Sequence, residues 1–243
     1  MIPKIIHYCW FGRNPLPELA LKCIESWKKY LPDYEIKEWN EDNFDVNMIP
    51  YTAEAYAAKK YAYVSDYARL WVLYHHGGIY FDTDVEVIRP MDDILARGPF
   101  MGCEKDASEL GRYPDVNPGV GMAACPEMPF IKGLMDIYAQ LGFNSENQNR
   151  DKGVYKTIVE YTSELLLEKG LVAQDGVQEV DGFIIYPKEY FNPLHHVNQL
   201  SITPNTRSIH HYAGTWISSK DKLKKRIIKL LGARLYGLIL KLR

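Results

Sequence analysis

The sequence predicts an α/β protein with a mainly parallel central sheet. The chain opens with a strand, an amphipathic helix and a second strand, over 5–10, 17–32 and 34–39. A succession of this length is typical of parallel βαβ units, and strand and helix patterns go on alternating after it. The 243 residues are 47% hydrophobic and 25% charged, which is ordinary for a globular protein and sufficient for one large core. We expect one domain over 1–217 and an appended helix over 218–243.

Each of the first three elements has its own pattern. The run IIHYCW (5–10) is apolar enough for a buried strand, and YEIKEW (34–39) alternates between apolar and polar residues. Between them, apolar residues recur at the spacing of one helix face, at Leu19, Cys23, Ile24, Trp27 and Leu31.

A long helical segment follows from Thr52, with a predicted break near 61–64. It ends at Gly77-Gly78, because glycine is the usual residue after a helix C-terminus. The strand IYFDTD (79–84) comes next, and VEVIRP (85–90) continues it until Pro90 closes the segment.

The rest of the chain continues the alternation. A single turn is predicted over 91–95, and a polar loop over 105–118 separates two strands. Strands are predicted over 99–104, 119–124, 182–187 and 208–213, and helices over 126–142 and 154–170.

The C-terminal segment differs from the body in charge. Residues 218–243 contain nine Lys or Arg and one acid, Asp221, for a net charge of +8, and since the whole chain carries −2 the body carries −10. Apolar residues form one stripe of the segment, from Leu223 to Ile239. A basic amphipathic helix of this kind is typical of proteins that lie on anionic membrane surfaces; packing on its own domain is the alternative.

The cysteines and the N-terminal segment indicate the cellular compartment of the protein. The four cysteines lack zinc-site spacing, and the N-terminal segment reads as a strand, without the pattern of a signal peptide. We therefore expect reduced thiols in a cytoplasmic protein, peripheral on the inner face of the cell membrane if the basic helix binds lipid.

Asp82 and Asp84 are the first candidate site residues. They lie one residue apart at the end of a predicted strand, so both can project into the crevice at the carboxyl edge of the sheet, where α/β proteins bind ligands. A divalent cation that bridges carboxylates and phosphate oxygens is the natural occupant. Two solvated turn aspartates are the alternative on the tripeptide alone.

A second candidate group lies in the helix before that strand. Asp66 and Arg69 are i, i+3 neighbours, so an ion pair is expected, and the aromatic residues around them leave little solvated face. A carboxylate can accept hydrogen bonds from sugar hydroxyls, and a guanidinium can bind phosphate. An exposed ion pair of little energetic weight is the alternative.

Two further segments end near the same predicted edge. Trp10 closes the first strand and could stack on a nucleobase or pack in the core. His210 and His211 are adjacent on the last predicted strand, so they point to opposite faces and at most one can join the site. Imidazole beside carboxylates suits manganese.

Three segments, taken in order, closely resemble the DXD-containing glycosyltransferases of family 32. They are IPKIIHYCWFG, YVSDYARLWVLYHHGGIYFDTDV and IHHYAGTW. These are capsular-polysaccharide and mannosyltransferase-like enzymes, more distantly similar to the catalytic domains of clostridial glucosylating toxins. The resemblance spans 2–90 and a short C-terminal block. It implies a GT-A-type nucleotide-sugar-binding domain that uses Mn²⁺ or Mg²⁺, a UDP- or GDP-hexose donor, and retention at the anomeric carbon.

The resemblance also implies residue roles. Catalytic roles fall to Asp66, Arg69, Asp82 and Asp84. Metal-binding roles fall to Asp82, Asp84 and His211. Donor- or nucleotide-binding roles fall to Tyr8, Trp10, Asp66, Arg69, Asn117, Thr215, Trp216 and Lys220. Thr215 stands where the family more often has Ser, which keeps the hydroxyl.

The implied reaction moves a hexose to a glycan or lipid-linked acceptor, as in bacterial surface-polysaccharide synthesis, and involves no nucleic acid. The cation and Arg69, or a C-terminal base such as Lys220, would stabilise charge on the leaving diphosphate. Because no nucleophilic carboxylate stands out, although Glu104, Asp106 and Asp115 lie in or next to the polar loop, we prefer front-face substitution.

Two other classes of protein share part of this pattern. Haloacid-dehalogenase-like phosphatases also have DxD after a strand, but usually near the N-terminus and followed by Gly-Thr; here Val85-Glu86 follow. A calcium-binding peripheral membrane module would need Gly at the sixth loop position, where this chain has Val87. The sequence leaves the donor sugar, the acceptor and the oligomeric state open.

Overall fold

A computed structural model describes residues 1–143, 148–149, 154–195 and 199–214. The central sheet has seven strands in the order β2-β1-β3-β6-β5-β10-β9. These strands are β1 (Ile5–Cys9), β2 (Glu35–Trp39), β3 (Gly78–Tyr80), β5 (Phe100–Lys105), β6 (Asp115–Ala124), β9 (Gln178–Val180) and β10 (Phe183–Tyr186). Three two-stranded sheets pair β4 (Val85–Val87) with β13 (Ser208–His210), β7 (Gln148–Asn149) with β8 (Val154–Tyr155), and β11 (Leu194–His195) with β12 (Gln199–Leu200).

Helices connect the strands. They are α1 (Glu18–Tyr30), α2 (Pro50–Ala57), α3 (Tyr61–His76), α4 (Asp92–Leu95), α5 (Ala107–Leu110), α6 (Pro129–Ala139) and α7 (Ile158–Glu168), and a single 3₁₀ turn spans Lys188–Tyr190. In the described part of the chain, no helix is both long and apolar enough to cross a bilayer.

Strand direction confirms the predicted fold class. β2, β1 and β3 are mutually parallel, and β10 is parallel to β5. β6 is antiparallel to both of its neighbours, β3 and β5, so these two also run in the same direction. Five of the seven strands therefore point one way, and the sheet is mainly parallel. Their carboxyl ends, together with the start of β6, form one edge.

Core packing follows the pleat of the strands. On β10, Ile184 and Tyr186 belong to one apolar cluster, whereas Phe183 and Ile185 belong to another. Because successive side chains of a strand point to opposite faces, the sheet has a core on each side. The α1 residues Cys23 and Trp27 pack in one core, and residues of α3, α6 and α7 pack in the other.

Two predicted boundaries differ from the structure. The break in the long helix falls at 58–60, where Lys59 has φ 57°, and not at 61–64, because Tyr61 and Val64 pack against the core as part of α3. The predicted polar loop over 105–118 holds a short helix and the first residues of β6, which pair with β5. The ten-residue β6 is a central strand. Its first residues are polar, and the sequence therefore predicts a loop there, but burial in the sheet keeps them in the strand.

The C-terminal helix predicted over 218–243 lies outside the described residues. Met1–His211 form one compact unit. Within it, β13 returns from the end of the unit to pair with β4, with His210 opposite Val85.

Candidate functional site

Asp82 and Asp84 lie in the turn between β3 and β4, at the carboxyl edge of the sheet. The Asp82 amide donates to the Gly119 carbonyl (3.0 Å), and the Val85 amide donates to the Asp82 carbonyl (3.0 Å). The Tyr80 hydroxyl donates to Asp82 Oδ1 (3.2 Å). The turn is thus held on both sides, so the carboxylates stay at the edge where the sequence predicts them.

His210 completes a cluster with the two aspartates. The pairing of β13 with β4 brings His210 Nε2 to 3.1 Å from Asp84 Oδ1 and 4.0 Å from Asp82 Oδ2. One ligand atom from each of the three residues lies within 4.8 Å of the others. Two carboxylates and an imidazole are the donor set of a divalent cation such as Mn²⁺, so the side chains fit the metal that the sequence implies.

His211 lies outside this cluster. Its Nε2 is 2.8 Å from Glu86 Oε2, and Glu86 also pairs with Lys22 at 3.0 Å. The alternation of side chains along β13 explains the difference, because neighbouring residues face opposite ways. The structure therefore assigns the position beside the aspartates to His210, where the sequence resemblance assigns it to His211, and Glu86 belongs to the scaffold.

Arg69 connects α3 to the carboxylates. Its Nη2 lies 3.1 Å from Asp66 Oδ1 and 3.2 Å from Asp82 Oδ1, and its Nε donates to the Ser65 carbonyl (3.1 Å). The guanidinium also lies over the Tyr80 ring, 4.9 Å from its centre. Asp66 and Arg69 are 8% and 4% exposed, so this is a buried ion pair and not the surface pair weighed as the alternative.

Burial sets the electrostatics of this pair. Desolvation raises the pKa of Asp66 to about 7; the charge of Arg69 lowers it and that of Asp82 raises it. For Arg69, desolvation lowers the pKa, but Asp82, Tyr80 and Asp66 raise it by more, so the guanidinium stays charged. Asp66 is consequently easier to protonate than a surface aspartate, while Arg69 keeps a fixed positive charge beside Asp82.

Gly119, in β6, borders the cluster so closely that no side chain fits. A Cβ built there would lie 2.1 Å from Asp82 Oδ2 and 2.8 Å from Arg69 Nη1. Its φ is not in the left-handed region, so the requirement for glycine is one of space and not of backbone conformation. The bare backbone lets the carboxylate and the guanidinium meet.

Asn117 lies at the same edge and is 7% exposed. Its Nδ2 donates to Glu104 Oε2 (2.8 Å), and its Oδ1 accepts from the Gly119 amide (2.7 Å). The side-chain amide is therefore fixed in orientation by two partners.

Tyr8 and Trp10, both on the first strand segment, have partners of their own. Tyr8 is buried, its ring centre 5.8 Å from that of Trp27, and its hydroxyl donates to Glu38 Oε2 (2.6 Å). Trp10 is half-buried, and its indole N–H donates to the Asn14 carbonyl (2.6 Å). Trp10 is therefore only partly buried just after β1, whereas Tyr8 packs in the core.

Three predicted donor-binding residues, Thr215, Trp216 and Lys220, lie outside the described residues. Sequence reasoning assigned no role to Tyr80 or Gly119, and it named Glu104 only as one of three carboxylates in or next to the polar loop. Tyr80 lies two residues before Asp82 in the strand predicted over 79–84, so period-2 alternation could have found it. Gly119 and Glu104 carry no such local signal, since their position depends on the pairing of β6 with β3 and β5.

Comparison with known proteins confirms the resemblance inferred from the motifs. A family model described as "Glycosyltransferase sugar-binding region containing DXD motif" matches residues 17–101, which include Asp66, Arg69, Asp82 and Asp84. "Inositol phosphoceramide mannosyltransferase 1" of Schizosaccharomyces pombe is 29% identical over 54% of this chain and 40% of its own. "Uncharacterized glycosyltransferase L373" of Acanthamoeba polyphaga mimivirus is 31% identical over 67% of this chain and 66% of its own.

A solved structure, "PaToxG Glycosyltransferase", is 20% identical, with 70% of each chain covered and a TM-score of 0.49. The chain spans less than two thirds of the length of each of the two curated relatives, 40% and 66%. Their similarity therefore concerns part of each relative, and not the whole of either protein.

Proposed function

We propose that the chain is a metal-dependent hexosyltransferase, because residues 17–101 match the family model of DXD-containing sugar-binding regions of glycosyltransferases. In this proposal it moves a hexose, with retention at the anomeric carbon, from a nucleotide sugar to a glycan or lipid-linked acceptor. The observation that carries the proposal is the cluster of Asp82, Asp84 and His210 at the carboxyl edge of the sheet, with Arg69 against it.

In the proposed site, Asp82, Asp84 and His210 hold Mn²⁺ or Mg²⁺. A divalent cation bound there supplies Lewis-acid stabilisation of the diphosphate that leaves with the nucleotide. The imidazole favours Mn²⁺, because Mg²⁺ prefers an all-oxygen shell.

The chain's own residues bind and orient the donor in this proposal. Arg69, fixed between Asp66 and Asp82, directs positive charge toward the leaving phosphate. Asp66 accepts hydrogen bonds from sugar hydroxyls, and Trp10 stacks on the nucleobase. The donor-binding roles of Thr215, Trp216 and Lys220, which the sequence resemblance implies, are part of the same proposal.

The relatives favour mannose as the first sugar to test. Curated relatives from Schizosaccharomyces pombe and Candida albicans are named as mannosyltransferases, and the name of the first includes inositol phosphoceramide, a lipid. For this chain, a lipid-linked acceptor in surface-polysaccharide synthesis agrees with the basic amphipathic pattern of 218–243. Peripheral binding to an anionic membrane is part of the same proposal.

The decisive experiment is a thermal-shift screen of the full chain with GDP-mannose, UDP-glucose, UDP-galactose and their N-acetyl forms, with and without Mn²⁺. Ligand that binds only the folded state raises the melting temperature. We expect one donor to stabilise the chain only in the presence of metal, and the same donor to be turned over, with retained configuration in the product. Stabilisation by Mn²⁺ alone with no donor effect would contradict the proposal, as would an inverted product for its retaining part.

A further inference from the structure

Glu104 lies at the same edge of the sheet as the metal-binding cluster. It is the last residue but one of β5, and β3 and β5 run in the same direction on either side of β6. The carboxyl end of β5 therefore comes out beside the turn that holds Asp82 and Asp84. Asn117, near the start of the antiparallel β6, lies at this edge too.

Glu104 differs from the neighbouring acid Asp115 in its partners. Asp115 pairs with Arg112 (2.6 Å), whereas Asp106, like Glu104, is held by an amide, the backbone N–H of Lys188 (2.9 Å). Within the described ranges, Glu104 has no ion-pair partner, and its carboxylate is held by the neutral amide of Asn117. Its negative charge is therefore available to a ligand.

A continuous series of hydrogen bonds fixes Glu104 relative to Asp82. Asp82 N donates to Gly119 O (3.0 Å), Gly119 N donates to Asn117 Oδ1 (2.7 Å), and Asn117 Nδ2 donates to Glu104 Oε2 (2.8 Å). Asn192 Nδ2 donates to the Glu104 carbonyl (2.9 Å) and holds the backbone. Since Asn117 uses its amide oxygen and nitrogen for this purpose, it orients Glu104, whose second oxygen has no hydrogen bond among the residues described.

We infer that the Glu104 carboxylate faces the reacting sugar and stabilises the positive charge that develops at the anomeric carbon, with Asn117 as its positioning residue. This inference rests on the proposed function. In the proposed function the diphosphate would leave beside the cation that the cluster would hold. A fixed carboxylate next to the cluster, with no ion-pair partner among the described residues, is suited to stabilise a cation-like sugar. No bond forms between Glu104 and the sugar.

The test compares Glu104→Gln with the wild-type full chain, using release of nucleoside diphosphate from the donor panel in Mn²⁺. Glutamine keeps the shape and removes the charge. We expect kcat to fall by about a hundredfold, a typical effect of losing one preorganised electrostatic group, with KM for the donor and the Mn²⁺-dependent thermal shift unchanged. Glu179→Gln, the same charge change at an exposed residue of β9, is the matched control and should leave kcat unchanged.

A double-variant experiment tests whether Asn117 acts by positioning Glu104. Asn117→Ala should lower kcat, but the double variant with Glu104→Gln should be no slower than Glu104→Gln alone, because both changes remove one function. Fully additive losses would overturn the positioning role.

Each remaining outcome has a distinct meaning. A Glu104→Gln enzyme within twofold of wild-type kcat overturns this inference and leaves the proposed function standing. Loss of the Mn²⁺-dependent thermal shift in that variant makes Glu104 part of the metal site and also overturns it, as does a glycosylated Glu104 found by mass spectrometry. A wild-type chain that releases nucleoside diphosphate from no donor overturns the proposed function, and this inference with it.

Discussion

Gly119→Ala is the sharpest test of the site, because the added methyl group would clash with both Asp82 and Arg69 where their side chains meet. The new Cβ would lie 2.1 Å from Asp82 Oδ2 and 2.8 Å from Arg69 Nη1. Carbon and oxygen atoms do not approach closer than about 3 Å, so the carboxylate must move by roughly 1 Å. The backbone itself accepts alanine, since φ at this residue is not in the left-handed region.

The expected magnitude follows from that displacement. A displacement of about 1 Å in a catalytic group lowers the rate by on the order of a hundredfold. Overpacking lowers the free energy of unfolding by about 1–3 kcal/mol. For a chain of this size, such a loss lowers the melting temperature by roughly 2–12 °C, so the protein should still fold. We expect kcat/KM for the nucleotide sugar to fall by about a hundredfold and Mn²⁺ affinity to fall with it.

The assay measures nucleoside diphosphate release and, by titration calorimetry, Mn²⁺ binding. Gly133→Ala is the matched control: it lies in α6, and the new Cβ would meet only Leu165 Cδ2 at an ordinary 3.5 Å. Because alanine favours helix over glycine by about 1 kcal/mol, the control should melt no lower than wild type and keep full activity. A folded Gly119→Ala protein with wild-type Mn²⁺ affinity and kcat/KM would refute the geometry described here.

Three further predictions concern residues around the site and in the core. His210→Ala should weaken Mn²⁺ binding by at least about tenfold in calorimetry, whereas His211→Ala should change it by less than about twofold; the reverse order would return the ligand role to His211. Arg69→Met should lower the free energy of unfolding, measured in urea with a chelator, by about 3 kcal/mol because it leaves buried carboxylates unpaired; a loss below about 1 kcal/mol would contradict this. His7 is fully buried and burial lowers its pKa to about 4, so unfolding free energy should decline as pH falls from 6.5 toward 4, by up to about 3 kcal/mol, since the unfolded chain binds the proton first. Urea titrations across that range should show a flatter profile for His7→Gln, and an equally steep one would count against the assignment.

The sequence was sufficient for features that depend on neighbours along the chain. The alternation of strand and helix patterns predicted the α/β class, and the spacing of Asp66 and Arg69 on one helix predicted their ion pair. The position of Asp82 and Asp84 after a strand predicted a site at the sheet edge. In each case the residues involved lie within a few positions of one another, so local geometry alone relates them.

The tertiary structure decided whatever depends on strand pairing across the chain. The register of β13 on β4 decides which histidine lies beside the aspartates, and these two strands are more than a hundred residues apart in the sequence. A shift of the register by one residue would exchange His210 for His211. The roles of Gly119, Asn117 and Glu104 follow from β6 lying antiparallel between β3 and β5, an order that no local pattern encodes. Local spacing in the sequence thus specifies the motif itself. The side chains around the motif come together only when distant strands pair, because the contacts between those strands do not depend on neighbours along the sequence.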